Sequence, residues 1–591
     1  MPPKISKGAR EGTPEFFIEG YPWYEEKGAP CEPACPAGHR IRRTISLVQE
    51  NRFEQALENI RAKNPFPGIC GRSCAYPCQI KCNRNEFDEG IAISALERAV
   101  FDHADVNKVR NPVKREKTGK KVAIIGSGPA GLTGAYFLAI LGHAVTVIEA
   151  LPVLGGIPRA WIPGYRLPKD VVDREVRQII ELGIDVRTNT EVEKDLSFGD
   201  IMNQYDACLI ATGTHKSMTL DIPGEDSEGV ISGLDFLRRV TFGEKIDLGP
   251  KVVVIGGGNT AIDAARAAKR LGAQEVSVIY RRTSEEMPAH REDVEEAEAE
   301  GIKILYLTMP VKIERKGNWT GRLECVKTIL GEKDREGRRQ PQKVEGSNFT
   351  VDVNTIIVAL GETLDTSFLS ATGIKSTLGQ TIEVHPFTLM TGKKAVFAAG
   401  DVVMGPSSIA EAIGGGRQAA ISIDCYLSGR PREQIRTIFL DHGGEIVIES
   451  SIYKDREGFP QRIVTYDEIV NFDESVPSSY YERKPRIKMH YSLSPGVRGF
   501  EEVKKGYTRG EAIDEASRCF RCGQCFKCAI CVDVCPEDVL AMADDGPKVS
   551  YPEDCFCCGA CALDCPCKAI SIRVPLPAKA VVLQGGKPLE Y

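Results

Sequence analysis

Late in the chain the cysteines fall at Cys525, Cys528, Cys531 and Cys535, and Pro536 follows. Twenty residues on, Cys555, Cys558, Cys561 and Cys565 repeat the same gaps before Pro566. A doubled Cys-x2-Cys-x2-Cys-x3-Cys-Pro run is the spacing of paired [4Fe–4S] clusters, in which the last cysteine of each run ligates the other cluster. The expected sets are Cys525, Cys528, Cys531 with Cys565, and Cys555, Cys558, Cys561 with Cys535. A disulfide framework is the competing reading, and the repeated gaps argue against it. Cys519, Cys522, Cys557 and Cys567 are left over.

The other cysteines sharpen this. Of 21 in 591 residues, six lie between Cys31 and Cys82 and twelve between Cys519 and Cys567. Clustering of this kind favours metal, and a reducing, cytoplasmic setting is expected. The N-terminus lacks the apolar core of a signal peptide. No apolar run approaches a membrane span. A net charge of −6 gives no reason to expect nucleic acid.

Two dinucleotide fingerprints precede the tail. Val122–Ile125 reads as a strand, Gly126, Gly128, Pro129, Ala130 and Gly131 as the phosphate turn opening a helix, and Ala144–Ile148 as the next strand, ending at Glu149. The glycines permit the turn, the approach to pyrophosphate and the close helix–strand packing, and the acid is placed for the ribose hydroxyls. Gly155 and Gly156 just past the acid, and Gly400–Asp401 at the end of a later strand, favour FAD here. Asp401 is placed for the ribityl chain, and a helix after Ala410 offers its N-terminal amides to a reduced flavin ring.

The second unit runs from the strand Lys251–Ile255 through Gly256, Gly258, Asn259, Thr260 and Ala261. Its following strand ends in Arg281–Arg282 rather than an acid, which favours NADP(H) over NAD(H). No Cys-x2-Cys or Cys-x4-Cys lies between Gly126 and Asp401, so electrons must leave the flavin by a route other than a dithiol.

The segments CPAGHRI, NPFPGICGRSC, IAISALERAV, GSGPAG, GYRLP, GGGNTAID and YRRTSEEMPA carry a family resemblance over residues 30–430. The chain resembles the glutamate synthase small subunit, the N-terminal half of dihydropyrimidine dehydrogenase, and the large subunit of NADH-dependent ferredoxin:NADP oxidoreductase. With its ferredoxin-like tail it is also similar to the oxidoreductase partnering dissimilatory sulfite reductase. The resemblance implies that Cys35, Cys74, Cys78 and Glu97 hold a [4Fe–4S] cluster near the flavin. Relatives build a second N-terminal cluster with two further upstream cysteines, which this chain lacks. For Cys31, Cys70 and Cys82 the alternatives are a second cluster, simple packing, or a ligand from a partner.

The expected fold is multidomain α/β. Residues 1–118 form a helical Fe–S domain; 119–232 with 363–430 form the FAD domain, and 233–362 an inserted NAD(P)H domain. Residues 431–508 are a linker, and 509–591 a ferredoxin-like α+β domain. The expected function is NAD(P)H:acceptor oxidoreduction. Hydride passes to FAD and single electrons through clusters to a ferredoxin or a partner redox enzyme, the chain being one subunit of an oligomeric complex. The alternatives are a glutamate synthase small subunit and an electron-relay subunit without nicotinamide turnover.

Overall fold

The computed structural model describes residues 22–24, 27–317, 319–333, 338–365, 368–377, 381–429, 436–440, 446–450, 469–472, 480–492, 498–543, 546–551, 554–555 and 557–572. The N-terminal signal-peptide reading and much of the 431–508 segment lie outside these residues.

Two parallel sheets form the centre. The first runs in the order Val396–Ala398, Ala207–Ile210, Lys121–Ile125, Ala144–Ile148, Asp185–Arg187. Its inner strands are apolar on both faces, as a sheet covered by helices on both sides requires. The second runs Lys303–Leu305, Glu275–Ile279, Lys251–Ile255, Thr355–Val358, Val230–Ser232. Strand Val230–Ser232 thus pairs in the second sheet, although the sequence boundary puts residue 232 in the first unit. An antiparallel sheet of Thr308–Lys316, Trp319–Lys333, Arg339–Lys343 and Phe349–Asp352 is inserted before Thr355.

The N-terminal region is helical. Helices Ile41–Gln49, Phe53–Arg61 and Ile93–His103 bury Leu47, Val48, Phe53, Leu57, Ile60, Ala99 and Val100 in one core. That core is completed from far along the chain. Helix Arg509–Ser517 packs on Ile41–Gln49 and Ile93–His103 and contributes Ala512 and Ala516. Its fully buried Glu515 accepts from Ala92 N at 2.9 Å and Ile487 N at 3.0 Å, and pairs with Arg518 at 2.7 Å.

The rest of the tail has two short helices, Ile530–Asp533 and Ala560–Leu563, and strand pairs Leu540–Ala543 with Gly546–Val549 and Pro22–Tyr24 with Ile570–Ile572. The second pair joins strands from the two ends of the sequence. Among the described residues no helix is long and apolar enough to cross a membrane.

The stretch expected to be a plain linker carries anchoring charge. Lys504 sits among Glu292, Asp293 and Glu296 at 3.2–3.7 Å, and Glu502 pairs with Arg72 at 2.8 Å. It thereby straps the helical domain to the second dinucleotide unit.

Candidate cofactor sites

A cavity of about 540 Å³ opens at the carboxyl ends of the first sheet's strands, where ligands of such sheets bind. Gly126, Gly128, Pro129, Ala130, Glu149, Gly156, Gly400 and Asp401 line it. Gly126 has φ of +99°, and a Cβ there would lie 2.4 Å from the Ala211 carbonyl oxygen. A Cβ on Gly131 would lie 2.0 Å from the Gly126 carbonyl oxygen, so helix Pro129–Ile140 could not approach its strand. Gly128, the N-cap of that helix, faces open space instead. The cradle therefore fits a pyrophosphate held by helix amides.

Glu149 accepts from Ser127 N at 2.9 Å, Ser127 Oγ at 2.6 Å and Leu151 N at 2.8 Å, which fixes its carboxylate at the cavity wall. Gly155 N donates to the Ser127 carbonyl at 3.1 Å, bringing the second glycine pair against the first turn. Asp401 accepts from Ser407 Oγ at 2.6 Å, and burial pushes its carboxyl up to about 6. Trp161 stacks on His215 at 4.9 Å within the same cavity. The sequence pattern did not flag that pair, because neither residue belongs to a spaced motif.

The far wall is the 19-residue helix Ile409–Leu427, started by a Ser408–Glu411 capping box. Its dipole points its positive end at the cavity. Pro36 presses on this helix: a Cβ on Gly414 would lie 2.4 Å from the Pro36 carbonyl oxygen. Arg417 Nη1 donates to the Ala37 carbonyl at 2.7 Å. The loop carrying Cys35 and this cavity therefore share a wall.

Cys35, Cys74, Cys78 and Glu97 come together on that side. Burial, then Glu97, pushes the Cys74 thiol up to about 12, with Cys35 adding to it. Cys78 is raised by burial and then by Cys35, Cys74 and Glu97. Glu97 is buried, accepts from Asn64 Nδ2 at 2.9 Å, and is pushed by burial up to about 8. Cys70 belongs to this neighbourhood, acted on by Glu97 and Cys74, and not to that of Cys31 and Cys82. Thiols gathered in dry surroundings need a cation to ionise.

In the tail, the crossed sets expected from spacing lie together. Cys531 is pushed up to about 12 by burial and then by Cys565, Cys525 and Cys528, with Cys561 of the other set adding least. Cys561 is pushed up to about 11 by burial and then by Cys535, Cys555 and Cys558. Backbone amides of Lys527, Val539 and Ala569 donate to the sulfurs of Cys525, Cys535 and Cys565 at 3.3 Å, the kind of bond that tunes cluster potential. Among the described residues no three His, Cys, Asp or Glu side chains converge on a single-ion site. A cubane takes one ligand per iron, so its ligands surround a cluster-sized space rather than a point.

In the second unit Gly256 has φ of +149°, with a Cβ there 2.1 Å from the Ala359 carbonyl oxygen, and Gly258 faces open space. Ala261 is buried behind the turn, and Asn259 Oδ1 accepts from His290 N at 3.0 Å. Thr260 Oγ1 donates to Glu362 at 3.4 Å, and burial, then Asp401, pushes Glu362 up to about 7. That carboxyl links the two dinucleotide sites. The two arginines separate. Arg281 is exposed, with Arg338 within electrostatic range. Arg282 is buried and donates from Nε to the Arg339 carbonyl at 2.7 Å, inside the inserted sheet.

Residues 120–416 match the family described as pyridine nucleotide-disulphide oxidoreductase, and residues 25–109 match dihydropyrimidine dehydrogenase domain II, 4Fe-4S cluster. The chain belongs to the pyridine nucleotide-disulphide oxidoreductase family and is an iron–sulfur flavoprotein oxidoreductase within it. It is 37% identical to NADP(+)-dependent formate dehydrogenase subunit beta of Moorella thermoacetica, over 87% of this chain and 73% of that one. It is 34% identical to NADPH-Fe(3+) oxidoreductase subunit beta of Geobacter sulfurreducens, over 85% and 76%. The glutamate synthase [NADPH] small chain of Azospirillum brasilense is 35% identical, over 68% and 86%. All three relatives are named as one subunit or chain of a larger enzyme. Despite the family name, Cys208 and Cys325 lie in separate cores and form no flavin-side dithiol.

Proposed function

We propose that this chain takes hydride from NADPH and delivers single electrons to a partner redox subunit or a ferredoxin. When bound, the flavin accepts the two-electron hydride and the iron–sulfur clusters pass electrons singly. The chain's residues supply placement and polarity. Gly126–Gly131 and Gly256–Ala261 hold the two pyrophosphates at helix N-termini, and Glu149 orients the adenosine end of the flavin nucleotide. Asp401, braced by Ser407, faces its ribityl chain. Cys35, Cys74, Cys78 and Glu97 would hold one cluster behind that shared wall, and the eight crossed tail cysteines would hold two more, each supplying one-electron chemistry. The observation that carries this reading is the shared wall, with Pro36 seated on Gly414 of the helix that bounds the flavin cavity.

Arg281 is the residue proposed to meet the 2′-phosphate, since it is exposed beside the strand end while Arg282 is engaged within the inserted sheet. A charge-assisted hydrogen bond contributes about 1.5–3 kcal/mol. Arg281→Ala should therefore raise KM for NADPH roughly tenfold or more and leave KM for NADH unchanged. Steady-state dye reduction with both nucleotides checks it, and equal losses would assign the 2′-phosphate elsewhere.

Rapid anaerobic mixing of the purified holoprotein with NADPH tests the function itself. Flavin bleaching at a rate dependent on NADPH concentration is expected. A flavin left oxidised by NADPH but reduced by dithionite would favour the relay reading without nicotinamide turnover.

A further inference from the structure

Cys31 and Cys82, unassigned by sequence pattern, share one buried neighbourhood with Cys519 and Cys522 from the far end of the chain. Cys31 and Cys522 are buried in the helical-domain core, and Cys82 and Cys519 pack against it. All four are free thiols. Helix Arg509–Ser517 delivers the late pair, and several bonds fix its end. Gln49 Nε2 donates to the Ala516 carbonyl at 2.6 Å. The Arg42 guanidinium donates to the Cys522 carbonyl at 2.7 Å and to the Lys27 carbonyl at 2.7 Å. Lys27 N in turn donates to the Gly523 carbonyl at 2.9 Å. Asn83, next to Cys82, donates from Nδ2 to Cys522 Sγ at 3.3 Å.

Backbone conformation separates a ligand loop from mere packing. In the tail run Cys525–Cys528, Lys527 and Ala529 have φ of +60° and +64°. In the run Cys555–Cys558, Cys557 and Gly559 have φ of +57° and +88°. At Cys519–Cys522 the same two places, Arg521 and Gly523, have φ of +53° and +71°. Non-glycine residues seldom adopt this region, and its recurrence at matching offsets marks a common constraint. The first sulfur is treated alike too. Arg521 N donates to Cys519 Sγ at 3.4 Å, as Lys527 N does to Cys525 Sγ at 3.3 Å.

We infer that Cys31, Cys82, Cys519 and Cys522 form a further [4Fe–4S] site, with two ligands from the helical domain and two from the tail. The missing upstream cysteines are thus replaced from the same chain, some 490 residues later in sequence by Cys31's count. Cys82, Cys519 and Cys522 all lie within electrostatic range of Cys31.

The placement makes this site the link between the flavin-side and tail clusters. Cys31 and Cys35, and likewise Cys82 and Cys78, are four residues apart, so each pair gives one thiol to either site. Helix Cys31–Ala34 ends at an extended Cys35, and helix Pro77–Ile80 ends before an extended Cys82, so the two thiols of each pair leave the helix in different directions. On the other side Cys522 is followed at three residues by Cys525. Gly523 N donates to the Cys567 carbonyl at 2.5 Å, and Tyr481 OH bridges the Phe520 and Pro566 carbonyls at 3.0 and 3.1 Å.

The inference rests on the proposed reading for the other three clusters, and the test separates the two. Iron and flavin are measured on anaerobically purified, reconstituted full-length protein. With about four irons per cluster, roughly sixteen irons per flavin are expected. A value near twelve would overturn the site without any variant. The full-length variants Cys519→Ser/Cys522→Ser and Cys31→Ser/Cys82→Ser should each lose about four irons. Both should lose the same EPR signal while flavin content holds. Parental iron in either variant would also overturn it. Failure of the broader reading would show separately, as a flavin that NADPH does not reduce.

Discussion

Glu300→Ala should destabilise the second dinucleotide unit by about 3–5 kcal/mol, the usual cost of removing one partner from a buried ion pair. Glu300 is fully buried and carries two guanidiniums. Arg266 donates to it at 2.7 and 3.1 Å, and Arg270 at 2.6 and 2.7 Å. Arg266 has Glu296 as a second carboxylate at 2.7 Å. The Tyr165 ring lies 3.9 Å from the Arg270 guanidinium carbon and 4.7 Å from that of Arg266, with its hydroxyl donating to the Asp263 carbonyl. Removing the shared carboxylate strands positive charge where no water can reach it. Urea unfolding followed through the second unit checks this. Glu244→Ala is the contrast: its partner Arg239 is partly exposed, so the expected loss is below about 1 kcal/mol. Equal effects of the two substitutions would mean that the buried network contributes nothing special.

Gly258→Val should slow reaction with NADPH by more than about a hundredfold while leaving the fold and the flavin intact. Gly258 is an N-cap with φ of −88° and ψ of 174°, a conformation that valine adopts freely. Nothing lies within 4 Å of a Cβ at this position, so the protein itself raises no objection. The space a side chain would fill is the approach to the helix amides. Losing two charge-assisted bonds to pyrophosphate costs about 3–6 kcal/mol, so kcat/KM for NADPH should fall by more than about a hundredfold. Flavin content and thermal stability, measured alongside, should match the parent. Loss of flavin as well would show that the two dinucleotide units do not fold independently around this turn.

The candidate dinucleotide turns and the tail ligand loops are legible where chemistry repeats at short range. Gly126–Gly131, Gly256–Ala261 and the crossed tail cysteines each announce a turn or a ligand loop within a dozen residues or so. Gly156 and the Gly400–Asp401 strand end, read in the sequence for the same reason, line the cavity of the first unit. What the sequence hid depends on distant packing. Cys519 and Cys522 look spare because the cysteines they lie beside in the fold, Cys31 and Cys82, stand more than four hundred residues earlier in sequence. Arg281 and Arg282 looked equivalent because nothing in their spacing shows the inserted sheet that engages Arg282 through the Arg339 carbonyl. The stretch holding Glu502 and Lys504 looked featureless because its role lies in charges on other elements.

The central claim is that NADPH reduces the flavin and that the electrons leave through the iron–sulfur clusters. An anaerobic NADPH titration of the full-length holoprotein, read by flavin absorbance and by EPR of frozen samples, tests it most directly. The account predicts flavin bleaching together with reduced-cluster signals, and both more than about a hundredfold slower in Gly258→Val at the same low NADPH concentration, while dithionite reduces the two proteins alike. A parent protein whose flavin bleaches while its clusters stay oxidised under NADPH, yet reduce with dithionite, would contradict it.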